Sequence, residues 1–113
     1  MSEAIRRAVV RSRSIREIVL RQLNSIYAYP NLGLTYETIL VGFSTGVVRY
    51  TVDEIEGELV SLIQDGLIVQ FNAPGGEPLP EKLYRIIKNG HDFVLANFPW
   101  MRVDEYTGKQ ELQ

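Results

Sequence analysis

The chain has 113 residues, 45% of them hydrophobic and 23% charged, with a net charge of −2. That length suits one compact domain with a real core and is too short for two of ordinary size, while the composition argues against disorder except at the ends. The absence of cysteine excludes disulfides, thiolate zinc sites and thiol nucleophiles together.

No apolar run approaches the roughly 18 to 20 residues needed to span a bilayer, and residues 1–14 contain no apolar stretch of signal-peptide type. The expected location is the cytoplasm, with no membrane partner.

In chain order, residues 1–13 form a basic arm or short helix, in which Ile5, Ala8 and Val9 can line one face. Whether it joins the helix that follows stays open. Ser14-Ile-Arg-Glu17 matches a capping box, and Ile15, Ile18, Val19, Leu23, Ile26 and Tyr27 follow helical spacing, predicting a helix over about 15–28. Pro30 ends it. Asn31 to Gly33 reads as a turn, and Thr35 caps a short helix running from Tyr36 to Val41 or Phe43.

Thr51-Val-Asp-Glu54 is a second capping box, with Val52, Ile55, Leu59, Leu62 and Ile63 behind it on one stripe and Gly66 placed for a left-handed stop. The β-branched run Leu67–Phe71 predicts a strand, and a second strand resumes over Leu83–Ile87. Between them, Pro74, Gly75, Gly76, Pro78 and Pro80 prevent regular pairing. Asn89 is placed to cap a last helix over about 91–97, and residues 98–113 form a tail. The domain proper spans 14–97.

Two stretches within this order carry a resemblance. Residues 59–68, Leu-Val-Ser-Leu-Ile-Gln-Asp-Gly-Leu-Ile, and residues 84–91, Tyr-Arg-Ile-Ile-Lys-Asn-Gly-His, resemble the corresponding motifs of winged helix-turn-helix regulators of the MarR and PadR types. The likeness covers about residues 15–97. It implies a mainly α fold with a small β-hairpin wing. It also implies base-edge contacts from the outward positions of the third helix, here Asp53, Glu54, Glu56, Gly57, Ser61 and Gln64.

The charges do not suit that role. Residues 51–66 hold Asp53, Glu54, Glu56, Glu58 and Asp65 with no Lys or Arg. A carboxylate can accept from cytosine N4, yet several together repel the phosphates whose neutralisation supplies most of the affinity. The wing adds Glu77 and Glu81 against Lys82, with Arg85 on the following strand. By contrast, residues 1–23 carry Arg6, Arg7, Arg11, Arg13, Arg16 and Arg21 against only Glu3 and Glu17.

Two readings follow. In the first, the chain is a DNA-associated winged-helix regulator whose contacts to duplex DNA come mainly from Arg6, Arg7, Arg11, Arg13 and Arg16. In the second, it binds no DNA and docks a basic protein partner through Asp53, Glu54, Glu56 and Glu58. Each has a plainer counterpart: a solvated or dimer-forming arginine face, and an ordinary acidic helix face favoured by the helix dipole.

The opposite charges also allow the arginine segment of one protomer to lie across the acidic helix of another, and a homodimer is expected. Phe98, Trp100, Met101 and Tyr106 either fold over the core or anchor a partner. Neither an enzyme nor a cofactor or metal site is expected. His91 is the only imidazole, read as a surface or capping residue, and outward helix carboxylates lack the convergent oxygens that a hard cation needs.

Overall fold

The computed structural model describes residues 2–72 and 82–98. Among them are four helices and three short strands: α1 (Glu3–Asn24), β1 (Leu34–Thr35), α2 (Tyr36–Val41), α3 (Val52–Gln64), β2 (Ile68–Asn72), β3 (Lys82–Ile86) and α4 (Lys88–Asn97). The fold is mixed α and β. β3 is the central strand of an antiparallel sheet ordered β1-β3-β2, with Leu34 opposite Tyr84 and Ile68 opposite Ile86.

α1 corrects the expected helix start. Ser14 lies in mid-helix, and the N-cap is Ser2, whose hydroxyl accepts from the Ile5 N–H at 3.1 Å. The Ser-x-x-Glu pattern marks a start only where the upstream chain leaves the helix. Residues 3–13 contain no Gly or Pro to force that. The boundary expected at residue 13 therefore falls inside one continuous helix.

α3 starts as its sequence predicts: Thr51 accepts from Glu54 N–H, and the Glu54 carboxylate accepts from Thr51 N–H at 2.8 Å. At its end Gly66 adopts φ 74°. The Leu67 N–H then reaches the Leu62 carbonyl and the Gly66 N–H reaches that of Ile63, which closes a Schellman turn. Thr35 caps α2 as predicted. α4 is not capped by Asn89; Ile87 occupies the N-cap without a side-chain bond.

β1 has no counterpart in the sequence reading, because two residues show no alternation. Its pairing to β3 widens the expected hairpin into a three-stranded sheet.

The core lies where α1 crosses α3, α4 and β3. Ile15, Val19, Leu20 and Leu23 of α1 meet Ile55, Leu59 and Leu62 of α3, with Ile39, Ile68, Ile86 and Val94 around them. Each such side chain, fully buried, stabilises the fold by about 1.5–3 kcal/mol.

Two polar clusters fasten the sheet and α4 to the end of α1. Arg85, on β3 as the sequence predicts, directs its guanidinium at the carbonyl oxygens of Tyr27 (2.8 Å), Tyr29 (2.6 Å), Leu32 (3.1 Å) and Ile26 (3.4 Å). His91 stacks on Tyr27 with ring centroids 4.1 Å apart, and its Nδ1 lies 2.8 Å from Asn24 Oδ1. Its role here is packing.

Glu77, Glu81 and the tail residues Trp100, Met101 and Tyr106 lie outside the described residues. Phe98 is buried against the core and lies edge-on to Phe93.

Candidate interaction face and its ion-paired flank

The acids of α3 divide into two rows. A helix turns 100° per residue, so positions 54, 58, 61 and 65 share one flank while 53, 56, 57, 60 and 64 share another. The first flank lies against α1. Arg11 Nε and Nη2 reach the two carboxylate oxygens of Glu54 at 2.7 and 2.8 Å, and Nη2 also donates to the Arg49 carbonyl at 2.7 Å. The same guanidinium sits 4.6 Å from the centroid of the Tyr50 ring.

One and a half turns further along α1, Arg16 Nε reaches Glu58 at 2.9 Å and Nη2 reaches Asp65 at 2.9 Å. Arg16 Nη2 also donates to the Ser61 hydroxyl. Both arginines are thus held in place as well as neutralised, since each guanidinium fork meets acceptors in more than one direction.

Glu54 has two tasks, closing the capping box and pairing with Arg11. The Arg11 bond first, then the Thr51 N–H, lower its pKa from 4.5 to about 2. A carboxylate with a depressed folded-state pKa stabilises the fold above its unfolded value and loses that contribution as the pH falls through its folded one. Stability is therefore expected to fall between about pH 4.5 and pH 2 as this group protonates. Urea unfolding of Glu54→Gln across that window should show a flatter dependence; an unchanged slope would mean that other carboxylates carry it.

The arginines and acids read as meeting across protomers meet, for Arg11 and Arg16, within one chain. These two side chains and Glu54 and Glu58 are committed to the seam between α1 and α3. Ser61, expected to face outward, belongs to this flank as well.

What remains exposed on α3 is Asp53, Glu56, Gly57, Val60 and Gln64, together with Val52 in the first turn, which was expected on the inward stripe and is 52% exposed. Val60, absent from the predicted outward set, is 53% exposed. Glu56 keeps its charge exposed while accepting from the Tyr36 hydroxyl at 2.9 Å; burial, then Glu56, push that phenol up to about 12. A Cβ at Gly57 would meet nothing within 4 Å among the described residues. The row is acidic at the N-terminal end, bare at its middle and apolar at Val60.

On α1, residues 2–10 are all exposed, with the first turns extending past the core. The side chains of Arg6, Arg7 and Arg13 have no hydrogen-bond or ion-pair partner among the described residues. Arg6, Val9, Val10 and Arg13 stand at i, i+3, i+4 and i+7 and so form one exposed face. On the helical wheel Arg6, Val10 and Arg13 turn away from α3, whereas Val9 stands beside Arg16 and, with Arg13, borders a groove that Glu58 and Phe93 also line.

Among the described residues no three His, Asp or Glu side chains converge so as to hold a metal ion, and no helix is long and apolar enough to cross a membrane. Comparison with protein-family models, curated proteins and solved structures finds no match to this chain.

Proposed function

We propose that this chain is a winged-helix domain that serves as a protein-interaction or assembly module, with the outer face of α3 as its docking surface. The order of helices and strands and the β1-β3-β2 sheet support the fold assignment. The observation that carries the function is the seam: Arg11 and Arg16 neutralise Glu54, Glu58 and Asp65 internally. Two of the cations a phosphate contact needs are thereby removed, and the outer row retains Asp53 and Glu56 without a base. Such a surface suits a basic partner with apolar side chains.

A second reading, a DNA-associated regulator, is favoured by one observation: Arg6, Arg7 and Arg13 are exposed without partners among the described residues. Anisotropy of a fluorescent duplex separates the two. The proposal expects no saturable binding at about 50 mM salt with protein near 10⁻⁴ M, the weak end of ordinary non-specific affinity. Tighter binding would overturn it in favour of an arginine-arm DNA regulator, provided its negative salt slope shrinks by roughly one unit per arginine when Arg6, Arg7 and Arg13 become alanine.

A further inference from the structure

We infer that the outer face of α3 receives the first half of α1 from a second copy of this chain, so that the molecules associate head to tail. The inference rests on the protein-interaction reading above and names the partner.

Gly57 is the starting point. It lies inside α3, its φ is not positive, and among the described residues no atom within 4 Å would obstruct a side chain. Glycine is the poorest helix former after proline, and nothing among the described residues requires it at this position. What a bare position on an exposed helix does allow is close approach by another backbone. Asp53 and Glu56 lie on the N-terminal side of this hollow and Val60 on the other.

The exposed face of α1 has the complementary chemistry. Val9 and Val10, 55% and 59% exposed, form a ridge with Arg6 on one side and Arg13 on the other. A ridge of two valines fits a hollow at glycine, and the guanidinium group that flanks it toward the N-terminal end of α3 meets Asp53 and Glu56. Opposite charge at the rim fixes the register, and the valines exclude water from the centre.

Within one chain the contact cannot form, because α1 already packs on the flank of α3 that holds Glu54, Glu58 and Asp65. It also joins two different surfaces. Unless two copies exchange it reciprocally as a twofold dimer, a contact of that kind closes into a ring or propagates as a filament.

Sedimentation velocity on the full chain, from about 10 µM to about 1 mM, tests this. Association should rise with concentration and weaken as salt goes from about 50 to about 500 mM, the range over which exposed charges become screened. Gly57→Gln, which improves helix propensity, should keep the circular dichroism spectrum and weaken association at least about tenfold, a change of about 1.4 kcal/mol.

Two charge-reversed chains, Arg6→Glu with Arg13→Glu and Asp53→Lys with Glu56→Lys, should each be monomeric and should associate again when mixed. Restoration on mixing also shows that both have folded. A single species of monomer mass at about 1 mM and low salt would overturn the inference, as would association unaffected by Gly57→Gln or mixing that restores nothing. A monomer that leaves duplex DNA unbound removes only the second copy as partner, whereas DNA binding removes the underlying reading.

Discussion

Gly90→Ala is expected to destabilise the protein by about 3 kcal/mol, near the upper end for adding one methyl group to a packed interior. Gly90 is buried in the first turn of α4. A Cβ there would overlap the Leu67 carbonyl oxygen and would lie 2.6 Å from Ile86 Cγ1. The oxygen cannot yield easily, because it already accepts the Ile87 N–H at 3.2 Å and so ties the end of α3 to the start of α4. Relief would require α4 to move off the sheet. The same substitution at Gly57, with open space around it, should instead stabilise by up to about 1 kcal/mol through helix propensity. Urea unfolding of the two variants checks both signs, and equal effects at the two glycines would contradict the packing described.

Arg85→Met is expected to cost about 3 kcal/mol. The methionine keeps most of the hydrocarbon stem and removes donors that serve four carbonyl oxygens at the end of α1 and along the loop to β1. Hydrogen bonds from a charged donor contribute about 1.5–3 kcal/mol each where they are well sheltered. Part of this cluster is exposed, so the sum is smaller than four full bonds. Lysine should rescue little, since one ammonium cannot reproduce the planar fork. If Arg85→Lys unfolded at the wild-type urea midpoint, the fork geometry would not be what holds the loop.

The local signals in the sequence were the readable ones. α3 could be recognised because its capping box, its apolar stripe and its glycine stop are all contained within Thr51–Gly66 and agree with one another. Ser14 shows the limit of the same logic: its pattern is that of a helix start, yet the residues before it also favour helix and Ser2 provides the cap. Asn89 misled similarly, since the chain enters α4 from β3 at Ile87 with its geometry already set.

The site was half legible. The opposite charges of the two segments could be counted, but Arg11 and Glu54 are 43 residues apart and Arg16 and Asp65 are 49 apart. No local pattern says which arginine meets which acid. Nor could it be read that Arg85 turns inward, because its acceptors are backbone carbonyls, which every residue carries. The spacing Arg6, Val9, Val10, Arg13 was present in the sequence, but it gained meaning only once Arg11 and Arg16 were seen to be occupied.

The central claim, that the outer face of α3 meets protein and not DNA, is tested most directly by following the backbone amide resonances of Asp53, Glu56, Gly57 and Val60 in the full chain. They are expected to shift as the protein is concentrated from about 10 µM to about 1 mM, over which weak self-association becomes populated, and to stay unmoved when duplex DNA is added at about 50 mM salt. Shifts of these amides on adding DNA, with none on concentrating the protein, would contradict it.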